Sequence, residues 1–425
     1  MPKHIILFGA GKSASVLIKY LVTTCEQYGW LLTVADNNLE LAQSKIGKSN
    51  NAQAIAIQVL NHQQRSDLIR QADLIISLLP PALHILVAKD CLLHNKNLLT
   101  ASYVDDGIKA LADDIKQNGL LFLCEMGLDP GIDHMSAMQL LEKIKGKGGE
   151  INSFRSHCGG LLAPESDDNP WHYKISWNPG NIVRAGSAGA IFRENNETKN
   201  VSYEKLFHEC REIDISGEGR FAYYPNRNSL PYIKLYDLED TSTFVRTTLR
   251  NPDFCHGWNS IIRAGLTDDK ILVSTNRSFA QWAQDILPLV DPRNKEQLEF
   301  IGLYSQDKIP PGLQTSADIL QYLLEKNLMM QQHDKDMVIM LHEVEYKLDG
   351  ISGRSTSLLS LKGENNVHTA MAQTVGLPLG IAAMLILQNK IDLTGLHIPI
   401  IPEIYDPVMR ELQQLGINFE EDSLN

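Results

Sequence analysis

His4-Ile5-Ile6-Leu7-Phe8-Gly9-Ala10-Gly11-Lys12-Ser13-Ala14 is the stretch that decides the fold. Its first residues are apolar and predict a buried strand. The strand runs straight into Gly-x-Gly-x-x-Ala, and Val16, Leu17 and Leu21 then recur with helical spacing. A dinucleotide site needs this order for steric reasons. Gly9 permits a tight turn, Gly11 lets a pyrophosphate approach the backbone, and small Ala14 lets the helix lie close to the strand. The free N–H groups at the helix start then face the phosphates. A lone Gly-x-Gly is a weak signal, but the context strengthens it. A second apolar run, Leu31–Ala35, ends at Asp36, where a carboxylate can accept both ribose hydroxyls of an adenosine. Gly9, Gly11, Lys12, Ser13 and Asp36 are therefore the candidate cofactor-binding residues of this end.

Outward from that stretch, strand and helix alternate. Strands are predicted at 54–57, 73–79, 97–100 and 120–124, with helices at 63–71, 84–94 and 106–118. Apolar runs such as Asp73–Leu79 suit parallel strands covered on both faces. The fold class is α/β, a Rossmann-type doubly wound parallel sheet. Its ligands belong beyond the carboxyl ends of the strands. Attention therefore falls on Ser77–Pro80, Ala101-Ser102-Tyr103 and Gly127-Leu128-Asp129-Pro130. A helix is expected over Met135–Ile144, with Asp129 as either its cap or a site residue. After Gly149 the rhythm changes. Strands at 151–158, 171–177, 232–238 and 242–249, with a hairpin at 336–348 and 355–362, predict a second, mixed α/β domain. Residues 251–330 are mostly helical, and 366–387 is one long helix in which Gly376-Leu377-Pro378 marks a kink or restart.

Composition narrows the function classes. The chain has 425 residues, is 43% hydrophobic and 21% charged, and carries a net charge of −12. This disfavours nucleic-acid or anionic-membrane partners and leaves room for a local basic pocket. No leader is expected at the N-terminus, and no apolar run is expected to reach the ~18 residues that span a bilayer. The six cysteines are dispersed without a C-x-x-C pair, which suggests reduced thiols in the cytoplasm and no zinc site. Arg227, in Tyr224-Pro225-Asn226-Arg227, and Arg250, closing Thr247-Thr248-Leu249-Arg250, are of a type more often found as surface charges. Near a dinucleotide cleft they would instead clamp a substrate with several carboxylates.

These residues carry a family resemblance. Leu78-Leu79-Pro80, Thr100-Ala101-Ser102-Tyr103, Gly127–His134, Cys158-Gly159-Gly160-Leu161, Tyr224–Arg227, Arg246–Arg250 and Ala370–Pro378 resemble motifs of the L-glutamate-forming saccharopine dehydrogenase (saccharopine reductase) family. The resemblance runs from Lys3 to about Gly416. It implies a Rossmann domain over 1–128, to which about 366–390 returns. It further implies a substrate and dimerisation domain over 129–250 and 331–365, and a helical insertion over 251–330. The implied reaction is reversible oxidation of saccharopine by NAD(P)+ and water to L-glutamate and 2-aminoadipate 6-semialdehyde. By the same resemblance Ser102, Tyr103, Asp129, Arg227, Thr248, Leu249 and Arg250 contact the substrate, and Tyr103, Asp129 and Cys158 relay protons. Ser77, Leu78, Ala101, Ser102, Leu128, Asp129, Pro130 and Asn178 line the cofactor. No metal is implied, and a homodimer is. A carboxyspermidine dehydrogenase or an inactive nucleotide sensor are the competing readings. Asp36-Asn37-Asn38 stands where NADP-preferring members carry a basic residue, so NAD is expected to be preferred roughly 10²- to 10³-fold, with NADP possible.

Overall fold

The computed structural model describes residues 2–424 apart from 178, 185–186, 275 and 287–288. The chain divides into two compact units, Met1–Lys143 with Met371–Phe419, and Ile144–Ala370 with Glu420–Asn425. The helix Ile132–Lys145 lies almost wholly in the first unit, and the segment that returns to it runs from Met371 to Phe419.

In the first unit, β1 (His4–Phe8), β2 (Leu31–Asp36), β3 (Ala52–Ala56), β4 (Leu74–Ser77), β5 (Asn97–Thr100) and β6 (Leu121–Leu123) form a parallel sheet. Its order is β6-β5-β4-β1-β2-β3, and a late strand, Gly395–His397, adds to the β6 edge. This is the doubly wound arrangement, with the switch point between β1 and β4. Ile5, Ile6, Leu7 and Phe8 are wholly buried, as a central strand with helices on both faces requires. The helix Ala14–Tyr28 buries Ala14, Leu17, Ile18, Leu21 and Cys25 on one stripe and stops at Gly29, whose φ of 64° supplies the left-handed cap.

The helix Ala370–Leu387 runs through Gly376-Leu377-Pro378 without restarting. A Cβ at Gly376 would lie 3.1 Å from the Leu17 nitrogen, and one at Gly380 would lie 2.6 Å from the Tyr20 ring. These glycines thus allow close approach to the first helix. The same helix corrects the expectation about apolar length. It is 18 residues long with a mean hydropathy of 1.8, and 83% of it is buried within the protein.

The second unit is built on a mixed sheet. Its strands are β7 (Glu150–Leu162), β8 (Ala190–Glu194), β9 (Glu197–Val201), β10 (Arg211–Ile215), β11 (Gly219–Pro225), β12 (Arg227–Asn228), β13 (Thr243–Arg250), β14 (Asp336–Leu348) and β15 (Ile351–Lys362). The main order is β10-β11-β13-β7-β14-β15, closed by Glu420–Leu424, with β8 joining β9, β12 and β13. Only the β13–β7 pairing along the main path is parallel. Two predicted strands are absent. Residues 171–177 form no ladder, because Trp171 drops into an aromatic cluster with Phe254 and Trp258, and its indole N–H donates to the Gln297 carbonyl at 2.7 Å. Residues 230–235 form a short helix, with Pro231 in its first turn. Strands β8–β11 escape the hydrophobic pattern, since much of β9 and β10 is solvent-facing and polar.

Candidate functional site

At the carboxyl end of β1 the turn is held by its neighbours. Gly9 has a φ of 100° and a Cβ there would lie 2.7 Å from the Leu78 carbonyl oxygen, so only glycine fits. A Cβ at Gly11 would meet nothing within 4 Å, so the protein itself does not require glycine there. The Ala10 N–H donates to Asp36 Oδ2 at 2.6 Å, and Asp36 Oδ1 accepts from the Asn38 N–H at 2.8 Å. Ser13 stands at the helix N-cap without a side-chain capping bond. The fold adds one residue that linear distance conceals. Lys45, in the last turn of the helix Leu39–Ile46, donates from Nζ to the Gly11 carbonyl at 2.5 Å. Burial lowers its ammonium to about 8, with Asp36 pulling it up and Lys12 pushing it down. The turn is thus flanked by one carboxylate and two ammonium groups.

The ends of β4 and β5 bring Ser77 and Ser102 together through a side chain not foreseen as a site residue. His84 lies 2.8 Å from Ser77 Oγ through Nδ1 and 2.8 Å from Ser102 Oγ through Nε2. Leu78 follows Ser77 and closes on Gly9. Ala101 touches the Gly127–Gly131 turn, where a Cβ at Gly127 would lie 3.1 Å from the Ala101 Cβ.

That turn contains Leu128, Asp129 and Pro130. Gly127 N–H donates to the Pro130 carbonyl at 2.9 Å, and a Cβ at Gly131 would overlap the Gly127 backbone at 2.1 Å. The following helix begins at Ile132, so Asp129 stands three residues ahead of it, and Asp133 accepts the Gly131 N–H at 2.6 Å. Asp129 accepts from the Tyr103 hydroxyl at 2.9 Å. Buried Glu125 braces this pair. It accepts the Val104 N–H at 3.1 Å and meets His134 Nε2 at 2.8 Å, and its own N–H donates to the Ser102 carbonyl. Glu125 and His134 frame the Gly-Leu-Asp-Pro-Gly motif, and their flanking position was the available signal.

In the second unit, β13 alternates two faces. Thr248 and Arg250 share one face, and Cys158 is the register partner of Thr248. Arg250 is 7% exposed. It donates to the carbonyls of Leu249 at 2.9 Å and Gly160 at 3.3 Å, and its guanidinium lies over Tyr173 and Phe254. Its Nε has no partner, and among the described residues no carboxylate is within ion-pair reach. Leu249 turns its side chain the other way, into an apolar cluster with Leu161 and Ile339, so only its backbone faces with Arg250. Arg227 is exposed in β12 with a φ of 53°. Asn178 lies outside the described residues.

The opposite face of β13 carries a separate arrangement. His157 is wholly buried between Thr247 Oγ1 at 2.7 Å and Glu343 at 3.1 Å, and Arg354 also pairs with Glu343. Burial would raise the Glu343 carboxyl, but His157 and Arg354 prevail and hold it near 2. This group ties β13, β7, β14 and β15 together. Beside it, a cavity of about 500 Å³ is lined by Arg155, Phe192, Glu194, Arg211, Tyr223 and Thr247, none of them a predicted site residue. Among the described residues no cluster of three His, Cys, Asp or Glu side chains is placed to hold a metal.

Known proteins match both units. A family model described as the saccharopine dehydrogenase NADP binding domain matches residues 5–123, and one described as the saccharopine dehydrogenase C-terminal domain matches 127–417. The saccharopine dehydrogenase (NADP(+), L-glutamate-forming) of Saccharomyces cerevisiae is 30% identical, with 100% of both chains covered. The alpha-aminoadipic semialdehyde synthase of Arabidopsis thaliana is also 30% identical over 98% of this chain, which spans only 44% of that protein. The solved structure of apo histidine-tagged saccharopine dehydrogenase (L-Glu forming) from Saccharomyces cerevisiae superposes with a TM-score of 0.88 at 29% identity, covering 100% of each chain.

Proposed function

The chain belongs to the saccharopine dehydrogenase family, and from that premise we propose that it oxidises saccharopine reversibly to L-glutamate and 2-aminoadipate 6-semialdehyde, a step of lysine metabolism. The observation that carries this reading is Arg250, a buried guanidinium with no acidic partner among the described residues. A charge left in that state calls for an anion from outside the chain. Saccharopine brings carboxylates. A polyamine, as a carboxyspermidine dehydrogenase would handle, brings further cations.

The first unit suits a dinucleotide: Gly9, Gly11, Lys12 and Ser13 would hold its phosphates, and Asp36 its adenosine ribose. Ser77, Leu78, Ala101, Ser102, Leu128 and Pro130 would line its other end. When bound, its nicotinamide accepts the hydride from the carbon beside the secondary amine. Asp129, oriented by the Tyr103 hydroxyl, takes the amine proton and later serves the water that hydrolyses the imine. Cys158 adds a second polar group beside Thr248 and Arg250, and Arg227 holds a second carboxylate from a more exposed position.

The cofactor choice is finer-grained. Asp36 favours NAD, because a 2′-phosphate beside it is repelled. Lys45 was nine residues away in sequence, but the fold brings it to the same turn. A unit charge at ~4 Å acts with about 4 kcal/mol near a protein surface, whichever its sign. The two effects largely offset each other, so the preference for NAD shrinks from the expected 10²- to 10³-fold to about tenfold at most, and NADP is used as well. We place the enzyme in the cytoplasm as a homodimer, on the resemblance and the dispersed, free cysteines.

The test follows reduced-nicotinamide absorbance with saccharopine and either NAD+ or NADP+. Turnover with both, with kcat/KM values within about tenfold, is expected. No turnover with either would overturn the assignment. Asp36→Ala should shift the ratio toward NADP+, and Lys45→Met toward NAD+.

A further inference from the structure

Ser77, His84 and Ser102 form a hydrogen-bonded line across the ends of β4 and β5. Both nitrogen–oxygen distances are 2.8 Å, His84 is 2% exposed and Ser77 is wholly buried. Burial lowers the imidazole to about 4, against a smaller upward pull from Asp105. At neutral pH the ring therefore carries one N–H donor and one acceptor nitrogen. Among the described residues His84 is the hydrogen-bond partner of the Ser77 hydroxyl, so a wholly buried hydrogen has one place to go. Ser77 donates to Nδ1, Nε2–H donates to Ser102 Oγ, and the Ser102 hydrogen is left to point onward. The Ser102 backbone is fixed as well. Its N–H donates to Thr100 Oγ1 at 3.1 Å, and its carbonyl accepts from Glu125.

We propose that His84 is a positioning residue that makes the Ser102 hydroxyl an obligate donor to a ligand oxygen, either the carboxamide of the dinucleotide or a carboxylate of the substrate. The proposal rests on the Proposed function only in placing Ser102 at the ligand. The line sets a polarity that a serine alone would not have, because an unsupported hydroxyl rotates to suit its surroundings. Successive hydrogen bonds also polarise one another, which strengthens the outward donor.

The experiment uses the full-length protein and four variants, His84→Leu, His84→Gln, Ser102→Ala and the His84→Leu/Ser102→Ala pair. Dissociation constants for NADH and NADPH come from their fluorescence, kcat and KM from turnover, and folding from the thermal midpoint. His84→Leu should weaken dinucleotide binding or kcat/KM by roughly tenfold, the worth of one well-aimed hydrogen bond. His84→Gln, with a donor and an acceptor on one amide, should recover most of that loss. The double variant should be no worse than Ser102→Ala alone, because the effect runs through that hydroxyl. Wild-type values in His84→Leu would overturn the proposal, as would a loss that adds fully to that of Ser102→Ala. If the Leu variant fails to fold, Ser77→Ala substitutes for it. Freeing the ring to reverse should cost about threefold, and no change there overturns the proposal equally. Absence of saccharopine turnover in the unmodified protein would sink the assigned reaction, while the fluorescence titrations would still decide the role of His84.

Discussion

Lys174 and Arg250 are buried almost equally, at 8% and 7% exposure, within the same unit. Their surroundings differ. Lys174 Nζ holds Asp168 at 2.8 Å and Asp334 at 2.9 Å. Burial alone would pull its ammonium down, but those two hydrogen bonds lift it above the usual lysine range. Arg250 lies on two aromatic rings and two carbonyls, and no carboxylate among the described residues meets it. Burying a charge costs several kcal/mol, and a partner or a ligand has to offset that. The lysine is completed by the chain itself, so its role is structural. The arginine is left incomplete, and that marks a ligand site more clearly than burial does.

The sharpest way to break this comparison is to remove the lysine. Lys174→Met leaves Asp334, whose side chain is 12% exposed, facing no cation, while Asp168 is 65% exposed and recovers water. A loss of about 3 kcal/mol in unfolding free energy is expected, with kcat and KM unchanged below the transition. Denaturant unfolding followed by fluorescence would measure it. Unchanged stability would mean that pairing does not explain the burial of Lys174.

Asp129 accepts from the Tyr103 hydroxyl and lies ahead of the helix that it could otherwise cap. Asp129→Asn keeps an acceptor for that hydroxyl and removes the ability to take a proton. The expected result is a fall in kcat of about 10²-fold, with the thermal midpoint held within error. A variant with full activity would return Asp129 to a purely structural role.

How much of this was legible beforehand depended on the range of the contact. The first sheet was readable because buried parallel strands are continuous apolar runs, and Gly9, Asp36 and Ser77 sit at their ends. Strands β9 and β10 were not, because edge strands with polar faces lack that signature. Residues 171–177 alternate well enough to predict a strand, but packing of Trp171 overrides local propensity. In the site, Tyr103 and Asp129 were singled out and proved to be neighbours. Lys45 and His84 escape the sequence, since each acts through a tertiary contact that no local spacing encodes, whereas the signal for Glu125 is its place beside the Gly-Leu-Asp-Pro-Gly motif.

Arg250 itself supplies the next test. Arg250→Met replaces an uncompensated cation by an apolar side chain of similar reach, so stability should hold or rise. Affinity should fall, because a charge-assisted hydrogen bond contributes roughly 1.5–3 kcal/mol. That corresponds to a KM for saccharopine about ten- to a hundredfold higher, with dinucleotide affinity unchanged. A variant that loses stability and keeps its KM would reverse the roles assigned to the arginine and the lysine.

Arg227 is the control that burial should matter at all. The sequence suggests that it and Arg250 are equal clamps, but the structure leaves Arg227 exposed. Exposed ion pairs are typically worth about 0.2–1 kcal/mol, because water screens the charge and a long side chain loses freedom when held. Arg227→Ala should therefore raise the KM for saccharopine by only about two- to fivefold. Salt separates the two arginines further. The Debye length shrinks from about 10 Å at 0.1 M to about 3 Å at 1 M, and exposed charges feel this far more than buried ones. Measured at both ionic strengths, the Arg227→Ala effect should fade toward unity in high salt, while the Arg250→Met effect persists. The comparison fails if both effects fade together, since Arg250 would then sit in water when substrate binds. It fails equally if Arg227→Ala matches Arg250→Met in low and high salt alike, because exposure would then have no bearing on what a carboxylate gains from either guanidinium.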